Sequence, residues 1–574
     1  MRLMRYIKPY KWQVMTVVVL TALQSLSQLY LPHLMSGIVD KGIAGQNISF
    51  IVETGLVMLG FSLVAGICTV AARLFAAKSA TGFARDLRRD IFEKVQSYSL
   101  AEFEKTGTAS LITRTTNDVT QIQNALVMAM AMLLSAPVMC IGGILMAVQT
   151  GAGLSWLIGV SVGLMSALVL LAAVKVMPLF KSLQKKIDRV SRVMRENLTG
   201  IRVIRAFNKT EYEQRRFEAA NRDLTDTSVT AYRWIGALMP AILLALNLST
   251  VAVIWFGGLH VELGQMQVGD LIAFQQYVMQ IMFAVIMATM MFVMLPRAFA
   301  SAERINEVLD IEPAVIDRTD VPLKTVLRGH VEFRNVSFTY QNAKAPVLSN
   351  ISFEAAPGEV TAVIGSTGSG KSTLVKLIPR FFDVSEGAVL VDGVDVRDYP
   401  QDALRLKIGY VPQRASLVSG TVADNLRYGD PSAGEPALMD ALHTAQASGF
   451  VTALEGGLLA NVSQDGSNFS GGQKQRLSIA RALVRHPEIY IFDDSFSALD
   501  YKTDLRLRQA LAEKTKEAAV LIVAQRISTV MNADKIIVLD DGRIAGQGTH
   551  AELLDGCDTY YEIVASQLSA EELA

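Results

Sequence analysis

Two short stretches of this chain combine residue types suited to phosphate chemistry. The first is GSTGSGKST, which fits the pattern G-x-x-x-x-G-K-S/T and comprises Gly365, Ser366, Thr367, Gly368, Ser369, Gly370, Lys371, Ser372 and Thr373. Glycines let successive backbone N–H groups face one anion, while Lys371 can reach the outer phosphates of a nucleotide and the Ser372 hydroxyl can hold Mg²⁺. The stretch lies between strand-like EVTAVIG and helix-like STLVKLIPRFF, which is the context that a phosphate-binding loop requires.

The second stretch, IYIFDDSFSALD, occupies residues 489–500. Its apolar run predicts a buried strand that delivers two carboxylates, Asp493 and Asp494, to one edge of a sheet. Asp493 is placed to orient a magnesium ion or to accept a hydrogen bond from the water bound to it. The two stretches together predict a site that binds or hydrolyses a magnesium nucleotide.

The composition indicates that these elements share the chain with a membrane domain. The 574 residues exceed one ordinary domain, 51% of them are hydrophobic, and the mean hydropathy is +0.31, which is unusual for a soluble protein. The formal net charge is zero, so there is no overall bias toward nucleic acid or an anionic surface. The three cysteines are scattered without ligand spacing, which argues against a zinc site or a disulfide framework.

Six segments of the first half are apolar enough, or nearly so, to span a bilayer, which takes about 20 residues. They are 13–34, 54–72, 125–149, 154–174, 235–259 and 271–295. Lysine and arginine are concentrated in the long connections 73–123 and 175–233 and absent from 150–153 and 257–270. The positive-inside rule therefore places both long connections and both termini in the cytosol.

Both long connections are predicted to be helical. The stretches 83–105 and 183–224 mix charged and apolar residues at helical spacing and contain no proline, so each predicts a helix that continues beyond the bilayer as a rigid arm. Solvated charged helices without that role are the alternative. We predict a transmembrane domain over 1–310, a linker over 311–330 and a second domain over 331–574, which opens with strand-like alternation.

Between the two phosphate-chemistry stretches lies FSGGQKQR, residues 469–476. With it, essentially all 574 residues of the chain resemble an ATP-binding cassette (ABC) half-transporter of the exporter type. The resemblance implies a multi-domain membrane protein, in which an all-α six-helix transmembrane domain with long cytosolic helical extensions precedes an α/β P-loop NTPase domain. Phe469 departs from the family's leucine but keeps an apolar side chain.

The resemblance assigns roles to the residues at motif positions. It implies that Tyr340 stacks on the adenine of ATP, that residues 365–373 hold its phosphates, and that Gln413 contacts Mg²⁺ together with Ser372 and Asp493. In the family, two domains pair head to tail, so that each ATP lies between the phosphate loop of one chain and the signature of the other. The signature and the adjoining D-loop comprise Ser470, Gly471, Gly472, Gln473 and Asp500. A serine and two glycines at a helix N-terminus also form a physical anion trap.

Two positions depart from the family at the hydrolytic centre. Asp494 stands where the family has a glutamate that polarises the attacking water, and Gln525 stands where it has a histidine that contacts the γ-phosphate. A general base must lie within about 2.6–3.2 Å of its proton or reach it through one water. Because the Asp494 side chain is one methylene shorter than glutamate, we expect its carboxylate to be poorly placed for this role. Glutamine can donate a hydrogen bond but carries no charge.

With an intact signature, these departures resemble the degenerate-site subunit of bacterial heterodimeric multidrug exporters. The resemblance implies that the chain's own site binds ATP and hydrolyses it slowly, and that its signature completes the competent site of a different polypeptide with a normal glutamate and histidine. A homodimer that tolerates both substitutions is the alternative.

Side chains in the predicted spans bear on the substrate. Six methionines lie among residues 279–294. The spans also carry the polar side chains of Gln24, Gln28, His33, Asn247, Gln275, Gln276 and Gln280. Flexible thioethers and scattered amides suit a cavity for varied apolar or amphipathic compounds such as drugs, lipids or peptides. Methionines that only pack or face lipid are the alternative. Acidic residues are absent from the span centres, so a strongly cationic ligand is not indicated.

The sequence therefore predicts an ATP-driven exporter subunit in the cell membrane of a bacterium, in contact with membrane lipids and a second half-transporter chain, and without a nucleic-acid partner. ATP-induced closure of the paired domains would turn the cavity outward by alternating access. A non-transporting gating or ATP-sensing subunit and a homodimeric lipid flippase remain alternatives. The spans exclude the soluble ATPases of the same superfamily.

Overall fold

The structure is a computed structural model that describes residues 2–132, 134–317, 328–341 and 343–567. By internal packing the chain divides into two units. One comprises Met1–Val95 with Ala109–Asp310, and the other comprises Gln96–Thr108 with Ile311–Ala574.

The described residues of the first unit form helices joined by short turns. In chain order the helices are α1 (Lys11–Gly37), α2 (Ile48–Gln96), α3 (Leu100–Thr106, which belongs to the second unit), α4 (Thr108–Thr113), α5 (Val119–Met132), α6 (Ser135–Thr150), α7 (Ser155–Thr199), α8 (Ile201–Ala206), α9 (Thr210–Glu262) and α10 (Val268–Asp310). Arg2–Tyr10 and Ala152–Leu154 are 3₁₀ turns, and Ile38–Ile43 and Arg114–Asp118 are π-helical.

Six helical segments in the described part of the chain are long and apolar enough to cross a membrane, which confirms the predicted six-helix membrane domain. They are Leu3–Ile43, Ile48–Gln96, Thr108–Thr150, Ala152–Thr199, Thr210–Glu262 and Val268–Thr289. The 49 residues of α2 correspond to roughly 74 Å at 1.5 Å per residue, more than twice the hydrocarbon core of a bilayer at about 30 Å. Most of both predicted extensions is helical, but neither is one continuous helix: α2 ends at Gln96 before α3 begins at Leu100, and α7 ends at Thr199 before α8 and α9. Their cytosolic location stays a prediction.

The predicted span 125–149 lies within one of these segments, Thr108–Thr150, which the structure describes as more than one helix. α5 ends at Met132 and α6 begins at Ser135, and residue 133 between them lies outside the described residues. Pro137 lies in the first turn of α6 and has no N–H with which to continue the hydrogen-bond ladder of a preceding helix.

The core of the first unit is centred on α10. Phe274, Tyr277, Ile281 and Met282 are completely buried, and their spacing places them on one face of the helix. By contrast, only 17% of the most apolar 18-residue stretch of α2 is buried. Because an exposed apolar surface of that size is unfavourable in water, the outer faces of the unit must meet lipid or another chain.

The second unit alternates strands and helices. Its strands are β1 (Val331–Phe338), β2 (Leu348–Ala355), β3 (Val360–Gly365), β4 (Glu386–Val391), β5 (Val394–Asp395), β6 (Ile408–Val411), β7 (Gly420–Thr421), β8 (Asn461–Val462), β9 (Ile489–Asp493), β10 (Ala519–Val523), β11 (Lys535–Asp540) and β12 (Arg543–Gly548). Its further helices are α11 (Lys371–Leu377), α12 (Gln401–Leu406), α13 (Val422–Arg427), α14 (Glu435–Thr444), α15 (Ser448–Thr452), α16 (Gly471–Val484), α17 (Tyr501–Lys514), α18 (Ile527–Val530), α19 (His550–Gly556) and α20 (Asp558–Ala565). Residues 318–327 of the predicted linker, Pro322 among them, lie outside the described residues.

A six-stranded sheet organises this unit, in the order β12-β11-β3-β10-β9-β6. Its strands are parallel except for the edge strand β12. The runs IYIFD in β9 and AVLIV in β10 are buried along their whole length, as expected of parallel strands covered on both faces. A second, antiparallel sheet has the order β2-β1-β4-β5. The predicted α/β class is confirmed, and the carboxyl ends of β3, β9 and β10 meet at one edge.

One segment from the first half of the chain packs within the second unit. Ser99 and Glu102 form a capping box at the start of α3, and Glu102 Oε1 also accepts the Ala314 N–H at 3.3 Å. Leu100 and Ala101 pack against a buried apolar cluster that includes the antiparallel sheet. The second unit is therefore assembled from two separate stretches of sequence.

Candidate nucleotide site

The predicted phosphate loop connects β3 to α11. β3 ends at Gly365 and α11 begins at Lys371. Gly370 immediately precedes the helix with a φ of +96°, and a Cβ at this position would lie 2.8 Å from Leu348 Cδ2. Both the backbone conformation and the available space therefore favour glycine where the motif has it.

Lys371 extends back into this loop. Its Nζ donates hydrogen bonds to the carbonyl oxygens of Gly365 at 2.8 Å and of Ser366 at 2.7 Å. Burial lowers the pKa of the ammonium group. The neighbouring Ser369 hydroxyl is 2% exposed and has no hydrogen-bond partner among the described residues. Because an unpartnered buried hydroxyl is unfavourable, a phosphate oxygen that accepts a hydrogen bond from Ser369 Oγ would fit the loop.

Asp493 ends β9 and faces the start of α11. Its Oδ1 accepts a hydrogen bond from Ser372 Oγ at 2.7 Å, and its Oδ2 accepts one from Tyr410 Oη at 3.2 Å. The carboxyl group is 2% exposed, and burial raises its pKa in spite of both hydrogen bonds. Hydroxyl and carboxylate oxygens are ligands that Mg²⁺ prefers in proteins. The ammonium group of Lys371 lies nearby and could bind a phosphate. The site therefore fits a magnesium nucleotide.

Asp494 follows Asp493 and is held by two amides. Its Oδ2 accepts hydrogen bonds from Gln413 Nε2 at 3.1 Å and from Gln525 Nε2 at 3.2 Å. Its φ is +48°, a left-handed conformation that aspartate adopts more readily than most other residues. Its own N–H donates to the Val523 carbonyl at 2.9 Å, which fixes the backbone against β10. The two residues that depart from the family are thus in direct contact.

Tyr340 lies beside the end of the phosphate loop. Its hydroxyl is 3.1 Å from Thr373 Oγ1, and its ring packs edge-on against Phe338 and Phe382, with centroid distances of 4.8 and 5.4 Å. The ring is half-buried. The structure places this aromatic side chain next to the loop, and its stacking on adenine stays a prediction.

The signature residues form the N-terminus of α16. Ser470 caps this helix in a capping box, in which Ser470 Oγ accepts the Gln473 N–H and Gln473 Oε1 accepts the Ser470 N–H. Ser470 and Gly471 are exposed. A Cβ at Gly472 would lie 3.2 Å from the Ala498 carbonyl oxygen, so the signature adjoins the loop that follows β9. Across the described residues, no hydrogen bond joins the signature to the phosphate loop.

The flanking residues of the signature also have defined environments. Phe469 is 7% exposed, and its ring centroid lies 6.3 Å from that of Phe450 in the core. The departure from leucine therefore preserves an apolar anchor. Asp500 caps α17 by accepting the Thr503 N–H at 3.0 Å, and this hydrogen bond lowers the pKa of its carboxyl group.

Sequence reasoning assigned no role to Tyr410, which contacts Asp493. β6 runs parallel to β9 with Tyr410 opposite Ile491, and burial raises the pKa of its phenol. The motif YVPQ contains this tyrosine, but only the strand order shows that its hydroxyl faces Asp493.

Comparisons with known proteins agree with this architecture. Residues 14–285 match the family described as ABC transporter transmembrane region, and residues 348–497 match the family described as ABC transporter. An uncharacterized ABC transporter ATP-binding protein of Mycobacterium tuberculosis is 46% identical over 570 residues, which cover 98% of this chain and 97% of that protein.

Two further similarities bear on the class of transporter. A fatty acid ABC transporter ATP-binding/permease protein of M. tuberculosis is 34% identical over 478 residues, which cover 83% of this chain and 75% of that protein. The solved structure of a bacterial Atm1-family ABC exporter with ATP bound is similar with a TM-score of 0.80 and 25% identity, covering 97% of this chain and 98% of that chain.

A six-helix membrane unit joined to a nucleotide-binding unit with a phosphate loop and a signature defines a subunit of a membrane transporter that uses ATP. The chain belongs to the ABC transporters and is a half-transporter of the exporter type. It is a multi-pass membrane protein whose ATP-binding domain supports transport-coupled hydrolysis. ABC exporters work as dimers, so its complete sites require a second chain.

Proposed function

We propose that this chain is the degenerate-site subunit of a heterodimeric exporter in the bacterial cell membrane, with cytosolic termini. Its own site binds ATP and Mg²⁺ and hydrolyses ATP slowly, while its signature completes the competent site of a different polypeptide. The pair moves apolar or amphipathic compounds outward by alternating access. The similarity to a fatty acid transporter supports a lipid-like substrate.

The observation that carries this proposal is the pair of amide hydrogen bonds to Asp494. Gln413 and Gln525 both donate to the same oxygen, Oδ2. The two amides occupy the lone pairs of Oδ2, so only Oδ1 remains to accept a proton from an attacking water. The side chain is also one methylene shorter than glutamate, so it starts farther from an attacking water. Neither amide can place a positive charge at a γ-phosphate.

The remaining side chains support binding. Lys371 Nζ would bind the outer phosphates of ATP, and Ser369 Oγ would donate to one of their oxygens. Ser372 Oγ and Asp493 would hold Mg²⁺, assisted by Gln413. When bound, the ion neutralises charge on the β- and γ-phosphates. A site that binds well but lacks an effective base keeps its nucleotide for many cycles of the other site.

The signature supports the assignment of hydrolysis to the other site. The 14-residue helix α16 presents Ser470 and Gly471 at an exposed N-terminus. Such an end binds anions because its N–H groups are unpaired and its dipole is positive. Because no hydrogen bond joins this end to the chain's own phosphate loop across the described residues, we expect it to contact a phosphate bound by another chain.

The test is ATP hydrolysis by the full-length chain, purified alone and with a candidate partner, before and after Asp494→Glu combined with Gln525→His. We expect low activity alone and high activity in the pair. In the pair, Asp494→Asn should change turnover less than about twofold, whereas removal of the partner's catalytic glutamate should lower it by more than about a hundredfold.

Lys371→Ala serves as the control, because it removes nucleotide binding from this chain's site. It shows whether the pair needs ATP bound at this site even though the site hydrolyses ATP slowly. Brisk hydrolysis by the chain alone with Asp494 unchanged would contradict the proposal and favour a homodimer. ATPase activity of the pair that no amphiphile stimulates would favour a gating subunit instead.

A further inference from the structure

The first unit contains a cavity between α1, α2, α5, α6 and α10. Its volume is about 210 Å³. At about 30 Å³ per water, this corresponds to about seven water volumes. The cavity can therefore take a head group and the first carbons of an amphiphile, while the rest of a long chain must extend outside it.

Two polar atoms in the cavity wall are buried and have no partner among the described residues. Ser25 is 1% exposed and its Oγ makes no hydrogen bond, and Gln280 Oε1 is likewise unpartnered. The Gln280 amide has one long contact, from Nε2 to the Gln28 carbonyl at 3.4 Å. Buried polar atoms are normally hydrogen-bonded, so these two indicate a ligand that supplies the missing bonds. Both residues fall in the middle of predicted spans, where polar side chains commonly mark a substrate path.

The wall also carries an uncompensated positive charge. Arg73 lines the cavity, and none of the lining residues is an aspartate or glutamate. In the part of the chain that the structure describes, its guanidinium has no ion-pair or hydrogen-bond partner. A guanidinium presents a planar fork of donors that matches a carboxylate or a phosphate. A cavity lined by charge of one sign favours ligands of the opposite sign.

The remaining wall is largely apolar and adaptable. Met132, Met139, Phe283 and Met287 contribute to it. Thioether side chains fit irregular apolar shapes because they are unbranched and flexible. A ligand that satisfies both the polar and the apolar parts of this wall has an anionic head and an apolar chain.

We propose that this cavity binds the anionic head group, a carboxylate or a phosphate, of an amphiphilic substrate. Arg73 pairs with the charge, the Ser25 hydroxyl donates to one of its oxygens, and the Gln280 amide turns to donate to it as well. This inference rests on the proposed export of amphipathic compounds and narrows that class to acidic amphiphiles.

Binding to the full-length chain in phosphatidylcholine nanodiscs without ATP tests this inference. A bound fluorescent fatty acid is challenged in separate titrations with a long-chain fatty acid, with its methyl ester and with inorganic phosphate. We expect the acid to bind at least about tenfold more tightly than the ester, because only the acid can form the charge-assisted hydrogen bonds. Inorganic phosphate should not compete at the concentrations at which the acid does.

Arg73→Gln should remove the preference for the acid and leave binding of the ester unchanged. The matched control is Lys78→Gln, which removes the same charge from an exposed position of α2 outside the cavity; it should keep the preference. Ser25→Ala should weaken binding of the acid without lowering the melting temperature, because the hydroxyl that it removes has no partner in the protein.

Equal affinity for acid and ester, or a preference that survives Arg73→Gln, would overturn the proposal. Competition by inorganic phosphate would also overturn it, because it would indicate a site for a free ion. The readout needs neither hydrolysis nor a partner chain. Failure here therefore leaves the asymmetric ATPase proposal standing, and brisk hydrolysis by the chain alone would leave this cavity proposal standing.

Discussion

At the scale of one residue, burial of the Asp493 carboxylate at the nucleotide site lowers the stability of the folded state. Its carboxyl group is 2% exposed, and burial raises its pKa above the ordinary value of 3.8. The folded state therefore holds a proton at this carboxyl group more tightly than the unfolded state does. The contribution of Asp493 to stability is most favourable at low pH and falls as the pH rises from 3.8 through the folded pKa.

We predict that Asp493→Asn raises the melting temperature of the nucleotide-free second unit at pH 7.5, because a neutral amide removes the buried charge. The difference should shrink as the pH is lowered toward the ordinary pKa, since Asp493 then becomes neutral as well. Calorimetry on the full chain, following the transition that MgATP shifts, measures this. Asp500→Asn is the control, because Asp500 is exposed and its pKa is lowered; a gain of stability in that variant would contradict the explanation.

The contact between Asp494 and Gln525 marks a limit of sequence reasoning at this scale. The motifs identified both residues as departures from the family, but they did not predict the hydrogen bond between them. That contact follows from strand register, because Val523 of β10 lies opposite Asp493 of β9. β10 is apolar throughout and β9 is apolar up to its last residue, Asp493, so neither strand contains an alternation from which the register could be read.

At the scale of elements, the cap of α16 has a close counterpart in α19. Ser470 with Gln473 and Thr549 with Glu552 form the same kind of capping box. Ser470→Ala and Thr549→Ala should each lower the stability of the second unit by about 1 kcal/mol. In the assembled pair, only Ser470→Ala should reduce ATP hydrolysis, by about tenfold or more, because only that cap lies at a proposed phosphate contact. Equal losses of activity would reduce the role of Ser470 to helix capping.

A second element-scale prediction concerns the far end of α10. Asp118 is completely buried, and both of its oxygens accept hydrogen bonds from Arg304, with Ser301 Oγ as a further donor. Arg304→Ala removes the hydrogen-bonded cation of this carboxylate and should lower the melting temperature of the first unit. Because the Arg304 side chain is 46% exposed, water can replace part of the lost interaction, so the cost should be about 1.5–3 kcal/mol.

The control for this prediction is Arg85→Ala, which removes an exposed arginine paired with Asp86. It should cost less than about 1 kcal/mol. Similar shifts for the two variants, measured by tryptophan fluorescence during heating, would show that burial of Asp118 does not determine the effect. All four tryptophans of the chain lie in the first half, so this signal reports on the first unit.

The sequence predicted the elements most reliably where the pattern was strong. Six apolar runs became six helical segments, β3 ends at the expected Gly365, and α11 begins at Lys371 next to the expected start. α11 ends at Leu377, however, whereas the predicted helical stretch runs to residue 382. The end of α2 at Gln96, the end of α7 at Thr199 and the packing of α3 with the second unit were not predicted. These features depend on local backbone chemistry or on distant contacts, and none of them changes the hydrophobic period along the chain.

At the scale of the whole molecule, a substitution at Gly471 should impair the assembled pair without impairing the folding of this chain. A Cβ at this position meets nothing within 4 Å, and the same holds for Gly449 in α15. Gly471→Ala and Gly449→Ala should therefore both leave the isolated chain folded and able to bind ATP. In the assembled pair, Gly471→Ala should lower turnover by about tenfold or more, because its methyl group would stand where a partner's phosphate approaches. Full activity of that variant would argue against the signature facing another chain's nucleotide.

The discontinuous second unit has a consequence for the order in which the chain is made. Leu100 and Ala101 leave the ribosome long before the strands against which they pack, because roughly 200 residues separate Thr108 from Ile311. At 5–20 residues per second, this interval is on the order of 10–40 s. Until the later strands emerge, the cluster that covers these two side chains does not exist. This segment is therefore among the first parts of the second unit to be synthesised and among the last to reach its native contacts.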